Sequence, residues 1–310
     1  MRPDALRKEE GRWSRRGFLA GSAGAAALAA AGAGGFWVPR KRRMTGCIVG
    51  PDQAVGHRIR DGGLPDPDRS ERASVVIVGS GIAGLAAAQA LRSRGIWDWV
   101  LLELESRPGG NSACGANAVS AFPWGAHYLP LPGPDAGEVS SLLREFGVMT
   151  GQDSRGLPMY REEFLVHDPA ERLFLHGRWQ EGMVPSLGLS PQERDALEAF
   201  FNRMSAFKER IGTDGRPAFT IPLDASSADP ELRALDRISF ADWLEQEGFT
   251  SAPLRWYVDY CCRDDYGMAS DRVSAWAGIH YFASRRGEAA NAPSHAVLTW
   301  PEGNGWIVNR

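Results

Sequence analysis

Three glycines, one carboxylate and a second glycine pair are the residues of this chain whose types and spacing can do chemistry. Gly79, Gly81 and Gly84 stand in the run Val75-Val76-Ile77-Val78-Gly79-Ser80-Gly81-Ile82-Ala83-Gly84. Four apolar β-formers precede them, and an Ala-rich stretch from Ala83 to Arg94 follows at helical composition. Gly79 permits a tight turn, Gly81 lets a backbone approach a pyrophosphate, and Gly84 lets helix and strand pack closely. The pyrophosphate would lie at the positive end of the helix, facing the unpaired N–H groups of its first residues, Ile82 and Ala83. Leu101-Leu102-Glu103 then reads as a second strand ending on a carboxylate, with Leu104 beside it. Glu103 is placed to accept a hydrogen bond from a ribose hydroxyl. The expectation is a dinucleotide site on a buried strand, a glycine turn, a helix and a second strand.

Arg107-Pro108-Gly109-Gly110 extends the pattern. Together with the first three glycines it resembles the extended fingerprint of the flavin amine oxidase and phytoene desaturase superfamily. The resemblance implies FAD rather than a nicotinamide dinucleotide, with Gly109 and Gly110 approaching the cofactor phosphates. The chain departs from the amine oxidase pattern at Asn111, which stands where an arginine usually follows the glycine pair. That departure bears on assignment to amine oxidases proper more than on FAD. An NAD(P)-dependent dehydrogenase is disfavoured by the Arg107-x-Gly-Gly tail and by Glu103, which would repel a 2′-phosphate.

Downstream, Ala121-Phe122-Pro123-Trp124-Gly125-Ala126-His127-Tyr128 is the next informative stretch. In the superfamily a Gly-Ala pair followed by bulky residues passes beside the isoalloxazine ring, where small residues let the backbone come close. The resemblance thus adds Asn111, Gly125 and Ala126 to the cofactor set and makes His127 and Tyr128 the candidates nearest the flavin. The competing reading makes those two satisfied core residues at a strand end. Arg263-Asp264-Asp265-Tyr266-Gly267 also has two readings, an ion-pair network at a helix end or a substrate-pocket wall. His280, in the aromatic stretch Ser274 to Phe282, is either a hydrogen-bonded interior histidine or a proton carrier. Thr299-Trp300-Pro301-Glu302-Gly303-Asn304-Gly305 supports kinship with exported bacterial relatives but carries no role.

The elements needed to position these residues follow from periodicity and capping. Val139, Leu142, Leu143 and Phe146 share a helical face. Phe164 to His167, an Asp168-Pro169 turn and Arg172 to Leu175 read as a hairpin. Ser190-Pro191-Gln192-Glu193 is a capping-box helix start, and its helix carries Leu197, Phe200, Phe201, Met204 and Phe207 as core. Ser239 and Ser251 read as two further N-caps. The fold class is α/β: a Rossmann-like FAD-binding domain with an interleaved α+β substrate domain. The expected division is an FAD-binding part at residues 73–150, a substrate or cap domain at 151–296, and a return strand at 297–310.

The N-terminal segment has a different character. Ser14-Arg15-Arg16-Gly17-Phe18-Leu19 reads as a twin-arginine translocation signal, and the uncharged stretch from Gly17 to Pro39 holds nine alanines and six glycines. Residues 1–46 are expected to be signal peptide and basic c-region, and 47–72 a leader crossing the surface, in which His57 is a surface or packing residue. The bland alternative is an uncleaved anchor. Met44-Thr45-Gly46-Cys47 loosely resembles a lipobox, which leaves lipid attachment at Cys47 open. The expected location is the periplasm or, membrane-attached, the outer face of the cytoplasmic membrane, after transfer by the twin-arginine translocase.

Composition narrows the partners. The chain carries a formal charge of −3, and its first 43 residues are strongly basic, so the remainder is clearly acidic. Such a surface argues against nucleic acid as a ligand. The four cysteines and six histidines show no metal-ligand spacing, and adjacent Cys261 and Cys262 read as core fillers. The partner implied is a small molecule, and the oligomeric state is not legible. The sequence stops shortly after Trp306, near what is the middle of superfamily proteins, so a truncated product is the expectation. The leading function is an FAD-dependent oxidoreductase removing a hydride from a C–N or C–C bond of a small amine-like or apolar substrate. The alternative is a non-catalytic flavin-binding protein or inert fragment.

Overall fold

The computed structural model describes residues 46, 47, 49, 50, 52–166 and 171–310. The twin-arginine segment and the Asp168-Pro169 turn lie outside the described residues.

The leader holds one helix, α1 (Gln53–Asp61), where the sequence suggested only a surface crossing. Asp52 caps it by accepting from the Ala54 and Val55 amides, and Gly62 ends it in the left-handed region. None of its residues is buried, and His57 sits on it.

Strand β1 (Val75–Val78) pairs in parallel with β2 (Trp99–Leu102), Val75 facing Trp99 and Val78 facing Leu102. Helix α2 (Ile82–Ser93) crosses between them. This is the βαβ unit expected, with one correction. The apolar run of β1 is not buried on both faces. Ile77 is covered, whereas Val76 is 52% and Val78 77% exposed. The sheet has only these two strands, so α2 covers one face and no second layer of described residues covers the other.

Beyond the glycine pair, β3 (Cys114–Ala116) and β4 (Ala121–Pro123) form a small antiparallel pair. Strand β5 (Tyr128–Pro130) leads to α3 (Gly137–Glu145), then β6 (Met149–Gln152) and β7 (Pro158–Tyr160). The short β8 (Leu165–Val166) is followed by β9 (Arg172–Leu175) and β10 (Arg178–Glu181). The predicted hairpin of 164–175 is not formed. Strand β9 pairs with β10, and β8 joins β11 (Val297–Thr299) in a three-stranded sheet ordered β5-β11-β8. Residues 297–310 are accordingly not one strand: β11 is three residues long and α9 (Gly305–Val308) follows a turn.

The helical part starts at α4 (Pro191–Glu209), where Ser190 and Glu193 complete the capping box. Then come α5 (Pro230–Ala234), α6 (Phe240–Gln246), α7 (Ala252–Tyr266) and α8 (Ala275–Ala283). Ser239 and Ser274 cap α6 and α8 through their side chains, but Ser251 makes no capping bond. Two apolar clusters result. The larger packs α4, α6, α7 and α8 around Phe200, Phe240, Leu254 and Ile279, and the smaller gathers Leu131, Leu143, Val148 and Leu298. Gly278 lets α8 and α6 meet, since a Cβ there would lie 2.1 Å from the Phe240 ring. Cys261 and Cys262 are buried free thiols, as core fillers should be, and burial pushes them up to about 11 and about 12.

Candidate cofactor loop and substrate cavity

The glycine loop has the shape its spacing implies. Gly79 takes φ of 91°, which a side-chain-bearing residue rarely adopts. A Cβ on Gly84 would lie 1.9 Å from the Gly79 carbonyl oxygen, so only glycine lets α2 start so close to β1. Gly81 is different: a Cβ there meets nothing within 4 Å. It occupies the N-cap without supplying a capping bond. The first intrahelical bond runs from the Leu85 amide to the Gly81 carbonyl. The amides of Ile82, Ala83 and Gly84 precede it and have no helical acceptor. Open space, unpaired N–H groups and a helix start together make a cradle for a diphosphate.

The second glycine pair folds against this cradle. The Gly109 amide donates to the Ser80 carbonyl at 2.9 Å, and Gly81 and Gly109 form a parallel bridge. A Cβ on Gly110 would stand 3.3 Å from the Gly81 Cα. Arg107 points elsewhere: it donates to the Cys114 carbonyl and lies over the Trp124 ring. It braces the β3–β4 pair.

Glu103 follows β2 and meets Ser80, which the sequence had not marked. One carboxylate oxygen accepts from both the amide and the hydroxyl of buried Ser80, and the other accepts from the Glu105 amide. These bonds, the Ser80 hydroxyl first, hold the carboxyl down at about 2. The oxygen facing Glu105 keeps a lone pair for a ribose hydroxyl. Leu104 beside it is 40% exposed. Because the folded pKa lies below the ordinary glutamate value of 4.5, this anchor stabilises the fold above that pH and is lost as the pH falls towards 2. The stability gap between the native chain and Glu103→Gln, followed by thermal unfolding, should therefore be full at pH 6 and close progressively between pH 4.5 and 2. A gap independent of pH would mean that the charge of Glu103 does not matter to the loop.

Asn111 joins the cradle to a cavity. Its carbonyl accepts from the Ala126 amide at 2.9 Å, and a Cβ on Gly125 would come within 2.7 Å of the same oxygen. The smallness of Gly125 is thus used by the chain's own backbone. From the other side, Asn304 donates its backbone amide to the Ala126 carbonyl and its side chain to the Tyr128 carbonyl. Gly303 fits there because a Cβ would lie 2.8 Å from the Ala126 oxygen. The Trp300-to-Gly305 motif therefore acquires a concrete role, that of clamping the segment 125–128.

That segment forms one wall of a cavity of about 420 Å³. The other walls are Ile221 with Asp264 and Asp265 at the end of α7, and His280, Tyr281, Ser284 and Arg285 at the end of α8. Residues singled out separately in the sequence thus converge. Gly125, Ala126, His127, Tyr128, Asp264, Asp265 and His280 line one space. Arg263 does not take part: it pairs with Asp259, one turn back on the outside of α7. The charged run is thus split between an ion pair and a pocket wall.

The polar groups of the cavity have defined states. His127 is exposed, and its Nδ1 contacts the Gly125 carbonyl at 3.1 Å. His280 stacks on Trp276 and directs Nε2 to the Thr220 carbonyl at 3.0 Å. A carbonyl only accepts, so Nε2 carries the proton and Nδ1 is left as an acceptor. Burial holds His280 below the usual imidazole range, with the Thr220 bond and Asp265 acting in the opposite direction. Burial also raises the Asp265 carboxyl, against the pull of Arg285. Tyr128 receives a hydrogen bond on its hydroxyl from Arg285 at 2.9 Å. Arg285 escaped notice in the sequence, although it stands four residues after Tyr281, the spacing that keeps helical neighbours on one side.

Residues 77–146 match the family model of an NAD(P)-binding Rossmann-like domain. An L-amino acid dehydrogenase of Synechocystis sp. is 27% identical over 197 residues, covering 63% of this chain and 37% of that protein. A protein of Mycobacterium tuberculosis named as a flavin-containing monoamine oxidase is 29% identical over 216 residues, 69% of this chain and 41% of the other. The chain thus spans well under half the length of these relatives. Cyclohexylamine oxidase from Brevibacterium oxydans superposes with a TM-score of 0.50 at 19% identity, over 77% of this chain and 48% of that one. A putrescine oxidase double mutant also gives 0.50, at 22% identity over 76% and 48%.

Proposed function

We propose that this chain, which belongs to the flavin amine oxidase superfamily, is an FAD-dependent oxidoreductase that withdraws a hydride from a C–N or C–C bond of a small amine-like or apolar substrate. The observation that carries the reading is the bond between the Ala126 amide and the Asn111 carbonyl. It joins the turn beside the diphosphate cradle to the wall of the cavity, a link that would position cofactor and substrate together.

The residues present fit FAD. Gly81 leaves the approach to α2 open, the amides of Ile82, Ala83 and Gly84 lack helical acceptors, and Gly109 and Gly110 close on the loop from beyond. When bound, FAD supplies the hydride acceptor. The chain's own part is to bind and orient. Ile82, Ala83 and Gly84 offer N–H groups to the diphosphate, and Glu103 accepts from the ribose. The segment 125–128 forms the face between cofactor and cavity, and His280 offers Nδ1 as a proton acceptor to a substrate N–H or O–H. Export through the twin-arginine pathway belongs to the same proposal and rests on Arg15 and Arg16. It predicts that Arg15→Lys with Arg16→Lys keeps the protein inside the cytoplasmic membrane.

The test is the visible spectrum of the full chain, taken before and after loading with FAD and desalting, followed by anaerobic addition of amines, amino acids and polyenes. A retained flavin band that one class of reductant bleaches supports the reading. A protein that never retains FAD, or whose flavin none of these reduces, overturns it.

A further inference from the structure

Arg285 is a charged group of the cavity whose surroundings are incomplete. Several arginines of this chain pair with a carboxylate, among them Arg92, Arg203 and Arg263. Arg285 forms no ion pair with any described residue, although it is partly buried just past the end of α8. Its guanidinium lies near two tyrosine rings instead, 5.6 Å from the centre of Tyr128 and 5.8 Å from that of Tyr281. Its one hydrogen bond to a described residue goes to the Tyr128 hydroxyl. A guanidinium has five N–H donors and stays charged, and removing such a charge from water without a counter-ion is costly. Asp264 and Asp265 line the same cavity on α7, and Asp265 attracts Arg285 across it, yet neither forms an ion pair with Arg285 among the described residues. The hydrogen bond to Tyr128 uses one of its donors and leaves the others for whatever enters. A planar fork of donors held in this way matches a carboxylate.

We propose that Arg285 is the anchor for a carboxylate on the ligand of this cavity. The proposal rests on the reading of the cavity as the substrate pocket and narrows the substrate to carboxylate-bearing molecules. Two sources supply that chemistry. One is an amino acid, whose ammonium group would face Asp265, and the other is a plain carboxylic acid.

Titration calorimetry on the full chain, loaded with FAD where it retains it, separates them with three probes of one carbon skeleton. L-norleucine carries both charges, hexanoate lacks the ammonium group, and pentan-1-amine lacks the carboxylate. Binding of at least one carboxylate probe is expected, weakened tenfold or more by Arg285→Met and less by Arg285→Lys, which keeps the charge but loses the fork. Pentan-1-amine should bind more weakly than L-norleucine and gain nothing from Arg285. L-norleucine binding more tightly than hexanoate, with the difference removed by Asp265→Asn, identifies an amino acid. Equal binding identifies a plain acid. Circular dichroism and the melting temperature of each variant separate lost binding from lost folding, and Arg285→Lys keeps the test alive if Arg285→Met unfolds. Unchanged carboxylate affinity in a folded Arg285→Met overturns the proposal, as does an amine that binds where neither carboxylate does. The latter leaves the cavity as a substrate pocket. If all three probes fail to bind, the pocket reading falls and the proposal with it.

Discussion

Replacing Gly81 by valine leaves the chain folded and abolishes its retention of FAD. The backbone at Gly81 has φ of −68° and ψ of 177°, which any residue adopts, and a Cβ there meets no atom within 4 Å. The backbone therefore accepts a Cβ at this position without a clash. What it fills is the open approach to the first amides of α2, where a diphosphate must come within hydrogen-bond distance of the backbone. Loss of that approach should weaken FAD by at least a hundredfold, on the order of 3 kcal/mol. The measurement is the flavin band remaining after desalting, read beside the melting temperature. Gly84→Ala provides the contrast. Its Cβ would lie 1.9 Å from a backbone oxygen that cannot move without breaking the turn. That variant should lose about 3 kcal/mol or more of stability, and with it the fold around β1 and α2. On this expectation one glycine serves the ligand and the other serves the chain. If Gly81→Val keeps its flavin at full stoichiometry, the loop is not the diphosphate site.

The loop was legible in the sequence because each of its constraints is local. A positive φ at Gly79, a close approach at Gly84 and an uncapped helix start are properties of ten consecutive residues. The cavity was legible only in pieces. His127, Tyr128, Asp264, Asp265 and His280 each stood out by type, yet what brings them together is the pairing of β5 with β11 and the packing of α7 against α8. Those contacts join residues that are far apart in the chain. The failed hairpin has the same cause. Leu165 and Val166 satisfy the local pattern for a turn back onto β9, but β11 offers them a place in the sheet beside the smaller apolar cluster. Strand partners are chosen by which apolar face gets covered, and the residues of one strand alone do not reveal that. Arg285 was missed because arginine is common on surfaces, and only its place in the cavity beside two tyrosine rings makes it unusual. Burial of β1 was overestimated for the complementary reason: four apolar residues in a row suggest a two-sided core, while the described residues cover one side.

Gly125→Ala tests whether cradle and cavity act as one unit. The added methyl would come within 2.7 Å of the Asn111 carbonyl oxygen, which also accepts from the Ala126 amide. The segment 125–128 cannot back away freely, because Asn304 holds the Ala126 and Tyr128 carbonyls and the Thr299 hydroxyl donates to the His127 carbonyl. The strain must therefore fall on Asn111 and on the glycine pair before it, which packs directly on Gly81. The expected cost in stability is about 2 kcal/mol, typical of one excess methyl in a filled space. FAD affinity should fall about tenfold in the same variant, although position 125 is far along the chain from the glycine loop. Equilibrium unfolding and FAD titration separate the two effects. A loss of stability with unchanged FAD affinity would show that the cavity wall can be displaced without disturbing the cradle. A loss of both would make the Asn111 carbonyl the joint through which the cofactor loop and the substrate cavity hold each other in register.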